Sequence, residues 1–467
     1  MTKKRDSWSG QLAFVMAAAA SAVGLGNLWR FPYLAAEYGG GVFIAAYLFL
    51  SLTIGFTLLV TEIALGRYAG QSQLTAFPKI GHPKWRFLGV LATIVPLVIL
   101  PYYNVIGGWV VKYFLAYVKS VFSGANTLEN SEMFFESFIS SPWDPFVCMV
   151  VLTLVSSVIV VLGVKNGIEK SNMFMMPLLF VMAIGIAIYV ATLPGAAAGI
   201  KYYLVPDFSG CDNFGKVILG AMGQMFYSLS LAMGIMITYG SYMRKSDNIP
   251  SSCVGIVAAD TFVAVMAGFM IIPVVVIFAS QAGGDAARPA IEAGPGLMFV
   301  TLPKIFASLG AAGPYVGLLF FTLVLFAALT SSISMAETCV ASVCDFFKVK
   351  RNVSVLAVAL WSLLLGSVSA FGYGRWKDFK PCGMPALEFF DFSMNSVVMP
   401  IVAALTCAFV GWVLTPKRIL VECRKGGGSL WFKGFYFAMV KYFAPFLVLS
   451  IFVSEICRFF GIGGWSI

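Results

Sequence analysis

About eleven apolar segments, each long enough to cross a lipid bilayer as a helix, follow one another along this chain of 467 residues. Lipid offers the backbone no hydrogen-bond partners, and a helix satisfies its own polar groups. The composition, 60% apolar and 11% charged, indicates an all-α integral membrane protein and excludes an ordinary soluble domain. The predicted spans are 10–36, 41–69, 87–122, 143–164, 167–192, 215–243, 250–280, 313–346, 352–371, 386–415 and 433–458.

Positively charged residues concentrate in alternate loops between these segments. A net charge of +10 can indicate a nucleic-acid partner, but Lys and Arg are not gathered on one aromatic-studded polar face. Alternate basic loops instead set membrane orientation. They predict a cytoplasmic N-terminus and an extracellular or periplasmic C-terminus. The inner-side residues are Lys3, Lys4, Arg5, Lys79, Lys84, Arg86, Lys165, Lys170, Arg244, Lys245, Lys348, Lys350, Arg351, Lys417, Arg418, Arg424 and Lys425, and the outer-side exceptions are Arg375, Lys377 and Lys380.

The first apolar segment is interrupted at its middle by Gly24-Leu25-Gly26-Asn27, followed at once by Trp29-Arg30-Phe31-Pro32. Glycine lets the backbone leave helical geometry without a steric penalty. The backbone groups freed at such a break need new partners, and the two half-helix ends carry opposite partial charges. The break therefore predicts a binding site for polar groups or ions. The alternative is a kink that only packs, because glycines are common in membrane helices.

A second interruption falls in the sixth segment, where Tyr227-Ser228-Leu229-Ser230-Leu231-Ala232-Met233-Gly234 places small and hydroxyl-bearing residues in mid-membrane. The first and sixth segments occupy corresponding positions in two five-helix halves. Paired broken helices of this kind indicate a transporter site at the bilayer midplane. We expect one membrane transporter domain over 1–467, with a first repeat at 10–192, an inverted repeat at 215–415 and an eleventh helix at 433–458.

Several motifs resemble those of the neurotransmitter:sodium symporter family. The run AVGLGNLWRFP from Ala22 to Pro32 resembles the signature of its first helix. Glu62 with Gly66-Arg67-Tyr68 resembles the second-helix motif, and Leu329-Thr330-Ser331-Ser332 resembles the eighth. The resemblance recurs in order along nearly the whole chain, and the count of eleven helices resembles the bacterial branch of LeuT- and MhsT-like amino-acid transporters. It implies a LeuT-type fold of two inverted five-helix repeats plus one further helix, in a prokaryotic cell (inner) membrane.

The resemblance implies two sodium sites near the first break. Sodium prefers hard oxygen ligands, which carbonyls at a helix break and hydroxyl, amide or carboxylate side chains supply. Thr330 and Ser331 have an alternative interpretation, because helical hydroxyls often bond to the carbonyl of the preceding turn. Site 1 is expected to use the Ala22 carbonyl, Asn27, Ser228 and Asp260, with the substrate carboxylate. Site 2 is expected to use the carbonyls of Ala20, Val23 and Ala327 and the hydroxyls of Thr330 and Ser331.

Asp260 is a carboxylate inside the seventh apolar segment, where a charge is costly and indicates function. Animal members of the family carry asparagine there, and many relatives bind chloride nearby through a hydroxyl one helical turn later. That position is Ala264 here, although Tyr47, Gln224 and Ser228 of the chloride-site pattern remain. The resemblance implies transport without a chloride requirement, with Asp260 supplying the fixed negative charge. The alternative is that Asp260 pairs with a backbone group and has no role in transport.

Gly24 implies an amino acid rather than an amine as substrate. Amine transporters of the family place an aspartate there, whereas glycine leaves room for an α-carboxylate that sodium and helix amides can neutralise. Tyr103 resembles the tyrosine that hydrogen-bonds this carboxylate. Met233 is flexible and accepts aromatic partners, although methionine in a membrane bundle often only packs. The expected substrate-binding residues are Ser21, Ala22, Gly24, Leu25, Gly26, Ile99, Tyr103, Tyr227, Ser228, Ser230, Met233, Ser331 and Met335.

Charged residues near both ends of the path imply gates that break and re-form during transport. Exposed ion pairs contribute only about 0–1 kcal/mol, so an incidental role is the alternative. Gly167 and Pro177 resemble the family motif that unwinds to let water reach the second sodium. The expected gate residues are Arg30 and Asp391 on the outer side, and Arg5, Asp345, Trp8 and Tyr242 on the inner side.

These features predict a sodium-coupled symporter that imports hydrophobic or aromatic L-amino acids by alternating access, independently of chloride. The alternatives are a sodium-dependent amino-acid sensor of the same fold and a symporter for a different small zwitterion. A channel is disfavoured because the polar residues converge at the midplane rather than along a pore. One histidine, nine scattered cysteines and no nucleophile–base or metal-ligand set argue against an enzyme. Expected partners are substrate and membrane lipid, and the protein is expected to be a monomer or weak homodimer.

Overall fold

The computed structural model describes residues 6–124, 128, 130–206, 208, 214–281, 294–430 and 432–461. Within these ranges the chain is a bundle of helices, which confirms the predicted fold class. Single π-helical turns join α4 to α5, α18 to α19 and α21 to α22. The helices are α1 (Gln11–Ala22), α2 (Leu25–Leu28), α3 (Arg30–Glu37), α4 (Gly41–Leu50), α5 (Phe56–Ala69), α6 (Gln73–Lys79), α7 (Arg86–Ser123), α8 (Ser131–Ser140), α9 (Asp144–Val161), α10 (Lys170–Ala191), α11 (Ala196–Leu204), α12 (Phe214–Ser228), α13 (Ile235–Gly240), α14 (Ile249–Gln281), α15 (Leu302–Ser308), α16 (Gly313–Phe347), α17 (Arg351–Ala370), α18 (Ala386–Asp391), α19 (Met399–Ala408), α20 (Pro416–Arg424), α21 (Lys433–Ala438) and α22 (Ala444–Phe459).

Among the described residues, nine helical segments are long and apolar enough to span a membrane, and a bent pair makes a tenth. The bent pair is α1 with α2 and α3, where the axis turns by 61°. The remaining predicted span, 215–243, is divided by the non-helical stretch 229–234 between α12 and α13. Two of the eleven predicted spans are therefore not continuous helices, and they are the two in which the sequence predicts an interruption.

The first break lies at Val23 and Gly24, whose backbones are extended. The Gly24 N–H donates to Oδ1 of Asn27 at 3.2 Å, so a side chain caps the short helix that follows. A Cβ on Gly24 would lie 2.8 Å from Oγ of Ser331. Helix α16 therefore approaches the broken backbone closely, and a side chain at position 24 would require the Ser331 side chain to move.

The second break contains residues in left-handed conformation. Ser230, Ala232 and Gly234 have φ values of 52°, 61° and 70°. For a residue with a side chain this conformation costs about 1–3 kcal/mol and persists only where the surroundings hold it. The Glu62 carboxylate accepts the Ala232 N–H at 2.8 Å, and Oγ of Ser230 donates to the Ser21 carbonyl at 3.0 Å. Helices α5 and α1 therefore hold the second break in place.

Glycines bring α5 and α13 into close contact. A Cβ on Gly66 would lie 1.9 Å from the carbonyl oxygen of Ile237, and one on Gly240 would lie 2.4 Å from that of Ile63. Membrane helices pack closely through small residues of this kind. The half-helix that follows the second break is thereby fixed against the second span.

One buried amide joins four helices. Nδ2 of Asn104 on α7 donates to Oγ1 of Thr153 on α9 and to Oγ of Ser362 on α17, both at 3.1 Å. Its Oδ1 accepts from Oγ of Ser332 on α16 at 2.7 Å. All four side chains are buried, so the network fixes the mutual rotation of these helices away from solvent.

A set of charged residues, the Glu422 cluster (Arg67, Lys245, Glu422 and Lys425), joins the end of α5 to α20. Arg67 is 2% exposed, and its Nε donates to Oε1 of Glu422 at 3.0 Å. The ammonium groups of Lys245 and Lys425 reach the same carboxylate at 2.8 and 2.7 Å. Burial acts to raise the pKa of Glu422, but the hydrogen bonds and positive charges outweigh it and hold that pKa below its usual range.

The loop after α17 carries the three basic residues that the orientation rule does not explain. The guanidinium of Arg375 lies over the Trp143 ring, 4.8 Å from its centroid, where the ring face attracts a cation. Lys377 and Lys380 are exposed. Arg375 therefore has a packing role that is independent of membrane orientation.

Candidate functional site

A cavity lies between the two breaks, α7 and α16. The space open to a water-sized molecule within it is about 30 Å³, which is enough for at least one water. Its walls include all thirteen residues that the sequence predicts to bind substrate, together with Asn27 and Ile235. Ile235 begins α13 directly after the second break, and no sequence signal distinguishes it from other isoleucines of the bundle.

The cavity has a polar end and an apolar end. At the polar end the Tyr103 hydroxyl is buried beside Ser331 and the backbone of Leu25. A Cβ on Gly24 would lie 3.4 Å from that hydroxyl, so the hydroxyl faces the first break. Ile99, Met233 and Met335 line the apolar part. The arrangement suits a ligand with a compact charged group and an apolar side chain.

Asp260 of α14 is fully buried beside this cavity. Its Oδ1 accepts from Nδ2 of Asn27 at 2.8 Å and from Oγ of Ser228 at 2.7 Å, and its Oδ2 accepts from the Tyr47 hydroxyl at 2.6 Å. These donors are neutral, and a buried charge without a counter-charge is strongly unfavourable. The set therefore has the chemistry of a cation site, with the Ala22 backbone on the neighbouring cavity wall.

The residues predicted for the second sodium site lie where α1 meets α16. Oγ1 of Thr330 donates to the carbonyls of Phe326 and Ala327 at 3.0 and 3.1 Å, as a helical hydroxyl does without an ion. Oγ of Ser331 instead contacts the Ser21 carbonyl across the interface at 3.4 Å. The backbones that would supply the carbonyls, at Ala20, Val23 and Ala327, belong to fully buried residues.

The polar side chains of the chloride-site pattern form hydrogen bonds within the protein. The hydroxyls of Tyr47 and Ser228 donate to Asp260, and Nε2 of Gln224 donates to the Gly26 carbonyl at 3.1 Å. Ala264 is fully buried one turn after Asp260 and has no polar atom to offer. The hydroxyls that would surround an anion therefore surround a carboxylate.

The predicted outer gate pair is not formed in this structure, in which both residues are described. Asp391 accepts from the Tyr102 hydroxyl at 3.0 Å and from Nδ2 of Asn395 at 2.7 Å. The guanidinium of Arg30 lies 5.9 Å from the centroid of the Tyr227 ring, which belongs to the cavity wall. The sequence does not reveal Tyr102 or Asn395 as partners, because neither belongs to a recognised motif.

On the inner side, Arg5 lies outside the described residues, so its predicted pairing with Asp345 has no structural description. Asp345 accepts the Ser72 N–H at 2.7 Å. The rings of Trp8 and Tyr242 meet edge to face, with centroids 6.1 Å apart. The two aromatic residues of the predicted inner gate thus lie together.

Two buried carboxylates near this gate are absent from the sequence prediction. Glu337 accepts from the Tyr242 hydroxyl at 2.7 Å and forms an ion pair with Arg351. Glu169 accepts from the backbone N–H of Ser9 at 3.0 Å and also from its hydroxyl. Both glutamates are visible in the sequence as charges, but their partners lie on other segments and become apparent only in the folded chain.

Comparison with known proteins gives matches along nearly the whole chain. The model of the Sodium:neurotransmitter symporter family matches residues 5–138 and 135–463. An uncharacterised sodium-dependent transporter of Haemophilus influenzae is 33% identical over 97% of this chain and 99% of its own length. One of Bacillus subtilis is 33% identical over 97% and 98%. The crystal structure of MhsT in complex with L-phenylalanine is similar with a TM-score of 0.84 and 34% identity, over 97% of this chain and 100% of that one.

Proposed function

The chain belongs to the sodium:neurotransmitter symporter family, and from this premise we propose that it imports hydrophobic or aromatic L-amino acids with sodium and without chloride. Membership makes it a sodium-dependent, multi-pass membrane transporter rather than an enzyme. One observation supports the proposed substrate class and ion dependence most directly. The buried carboxylate of Asp260 stands beside a cavity whose one end is polar and whose other end is apolar.

An amino-acid substrate is supported by the polar end of the cavity. The α-carboxylate would lie between the Gly24 break, the Tyr103 hydroxyl and the first sodium, because helix N–H groups and a cation both neutralise it. The side chain would lie against Ile99, Met233 and Met335. MhsT, which is crystallised with L-phenylalanine, supports an aromatic or large aliphatic side chain.

Two sodium ions are proposed. The first would be bound by Asp260, Asn27, Ser228 and the Ala22 carbonyl, and its charge would compensate the buried carboxylate. The second would be bound by the carbonyls of Ala20, Val23 and Ala327 and the hydroxyls of Thr330 and Ser331. Each sodium that crosses a potential of 100 mV contributes about 2.3 kcal/mol, so two could concentrate a neutral zwitterion about a thousandfold by voltage alone.

Chloride independence is supported by Ala264 and by the direction of the Tyr47 and Ser228 hydroxyls. An anion beside Asp260 would be repelled by its carboxylate and would find no hydroxyl at position 264. The fixed charge of Asp260 would therefore replace a bound chloride. Replacing chloride with gluconate should leave uptake unchanged, and loss of uptake in gluconate would contradict this part of the proposal.

Alternating access would move the two proposed repeats, 10–192 and 215–415, around the central cavity. In that cycle Arg30 and Asp391 would approach each other when the outer path closes. The alternate basic loops support a cytoplasmic N-terminus and an outer C-terminus, and the bacterial relatives support a prokaryotic inner membrane. A monomer or weak homodimer would suffice, since every proposed ligand belongs to one chain.

The test is uptake of radiolabelled tyrosine into proteoliposomes under an inward sodium gradient, with leucine and tryptophan as competitors. Sodium-dependent accumulation that both competitors reduce is the expected result. Sodium-dependent binding without accumulation would indicate a sensor. Sodium-dependent uptake of a different zwitterion, without competition by the three amino acids, would refute the substrate assignment while leaving the symporter intact.

A further inference from the structure

A second cavity adjoins the substrate cavity on the side of the predicted outer gate. Tyr227 belongs to the walls of both cavities, whereas Arg30 belongs to the second alone. The space open to a water-sized molecule within the second cavity is about 40 Å³, which is enough for at least one water. Most of its wall is apolar, and its other polar side chains are those of Asn395, Ser396 and Glu455. The fold thus brings a guanidinium and a carboxylate from opposite ends of the chain to one small space.

The Arg30 guanidinium has no carboxylate partner in the described part of the chain. It belongs to none of the ion pairs between described residues. It lies 5.9 Å from the centroid of the Tyr227 ring, and a Cβ on Gly223 would lie 3.5 Å from its Nη2. A half-buried cation gains from a nearby carboxylate, because burial removes part of its hydration. Arg30 is therefore available to a carboxylate that reaches this cavity.

Glu455 of α22 supplies a carboxylate on the wall of the same cavity. It lies within the last apolar helical segment, Lys433–Phe459, where an ionisable residue is costly and indicates function. Its Oε2 accepts from the Ser396 hydroxyl at 3.3 Å, and Glu455 takes part in no ion pair between described residues. An ionised carboxylate has about four acceptor positions, so Glu455 retains capacity for a guanidinium.

Two neighbouring residues, in the π-helical turn that joins α18 to α19, connect Glu455 to the other carboxylate of the outer gate. Nδ2 of Asn395 donates to Oδ1 of Asp391 at 2.7 Å, whereas the next residue, Ser396, donates to Glu455. Oδ1 of Asn395 is buried and accepts no hydrogen bond from a described residue, so it offers one further acceptor. Arg30 and Glu455 are each close enough to Asp391 to act on it electrostatically. Two carboxylates on different helices are therefore within reach of one arginine.

We propose that Glu455 is a second carboxylate of the outer gate, which binds the Arg30 guanidinium while the outer path is open and releases it to Asp391 when the path closes. This inference rests on the proposed function, because it takes Arg30 and Asp391 as the gate. A guanidinium has five N–H donors, so it can gain one carboxylate before it loses the other. Ion pairs that are partly exposed are weak, so neither position traps the arginine. Glu455 is a positioning residue, since it does not line the substrate cavity and acts through Arg30.

The experiment measures how readily the substrate cavity is reached from outside, in right-side-out vesicles that contain the full chain, with sodium and without an amino acid. The reporter is Ile99→Cys, because Ile99 lines the substrate cavity and is 1% exposed. A membrane-impermeant thiol reagent reaches this position only while the outer path is open. Cys211, Cys382 and Cys457 are replaced by serine in this background, so that they do not react.

Glu455→Gln should slow labelling of the reporter about threefold, because the open position of Arg30 loses its partner and the closed position keeps Asp391. The glutamine oxygen still accepts from Ser396, so the contact between α22 and the turn before α19 is preserved. Glu455→Asp keeps the charge and should retain most of the parent rate. Asp391→Asn removes the partner of the closed position and should speed labelling.

Two charge-removing variants are matched controls. Arg458→Gln removes the cation one turn after Glu455 on α22, and Glu388→Gln removes an exposed carboxylate that accepts from the Tyr373 hydroxyl at 3.4 Å. Neither residue lines the second cavity, so neither variant should slow labelling. Equal slowing in either control would show a general effect of surface charge and would overturn the inference.

Three other results would also overturn the inference. They are unchanged or faster labelling in Glu455→Gln, slowing in Glu455→Asp equal to that in Glu455→Gln, and slowing in Asp391→Asn. Because labelling needs no substrate, its outcome is separate from that of the uptake test. If the parent protein fails to transport tyrosine but Glu455→Gln slows labelling as expected, the substrate proposal fails and the gate inference stands. Unchanged labelling together with tyrosine uptake would overturn the gate inference and leave the proposed function intact.

Discussion

Replacing Asn104 by leucine removes three hydrogen bonds that join α7 to α9, α16 and α17 while nearly preserving side-chain volume. Hydrogen bonds between membrane helices average about 0.6 kcal/mol and reach about 1.7 kcal/mol. Three such bonds predict a loss of about 2 kcal/mol of unfolding free energy, with about 5 kcal/mol as the upper bound. The hydroxyls of Thr153, Ser332 and Ser362 can turn to carbonyls of their own helices, which keeps the loss near the lower value.

The same substitution should also affect the cavity, because Asn104 and Ser332 adjoin Tyr103 and Ser331 in the chain. Loosening the contact between α7 and α16 shifts both cavity residues relative to the first break. We therefore expect a higher KM for the substrate with a smaller change in the maximal rate. Radiolabelled uptake at several substrate concentrations measures this separation directly.

Unfolding in a denaturant titration measures the stability change, with Thr406→Val as control. Thr406 is 2% exposed, and its hydroxyl bonds to the Val402 carbonyl of its own helix at 2.8 Å. That variant should lose clearly less stability than Asn104→Leu, since its bond joins no second helix. A double-mutant cycle of Asn104→Ala with Ser332→Ala should give a coupling of at least about 0.5 kcal/mol. Additive effects, or an Asn104→Leu loss no larger than the control, would refute the role assigned to this network.

Three further outcomes follow from packing and charge. Gly66→Ala should abolish recovery of monodisperse protein in size-exclusion chromatography, because its Cβ would lie 1.9 Å from the Ile237 carbonyl oxygen. The control is Gly185→Ala, whose Cβ would meet nothing within 4 Å and which should be tolerated. Glu422→Gln should cost up to about 3–5 kcal/mol in unfolding free energy, because it removes the negative charge opposite the buried Arg67 guanidinium and leaves it only neutral acceptors; an unchanged thermal midpoint would contradict this. Folding lowers the pKa of Glu422, so its stabilisation is fully present above about pH 4.5 and is lost as pH falls through the lowered value; a pH titration of thermal stability should show this loss in the parent and not in Glu422→Gln.

The helix breaks were predictable from the sequence because their causes are local. Gly24 frees the backbone, and residues 228–234 offer hydroxyls and small side chains where a continuous helix would need bulky apolar ones. The structure shows breaks at both places. The apolar runs are equally local, which is why the number and order of spans follow from the chain itself.

Contacts between helices were less predictable, because they depend on how far each helix is rotated and tilted by its neighbours. Asn104 is one polar residue in an apolar segment, and nothing near it in the chain identifies Thr153 or Ser362 as its partners. Similarly, Asp391 was expected opposite Arg30, yet its donors in this structure are other residues. A motif indicates which residue is special, whereas its partner is fixed by packing.

The Glu422 cluster has a consequence for how the protein is made. Arg67 and Glu422 are 355 residues apart in the chain. At a synthesis rate of about 5–20 residues per second, Arg67 leaves the ribosome roughly 20 to 70 s before its carboxylate partner exists. During that interval the guanidinium lacks the carboxylate that neutralises its charge, although the Arg244 and Asp247 carbonyls that it also contacts are made earlier. Closure of the cluster is therefore among the last steps of assembly, and a chain truncated before Glu422 would remain in the unfinished state.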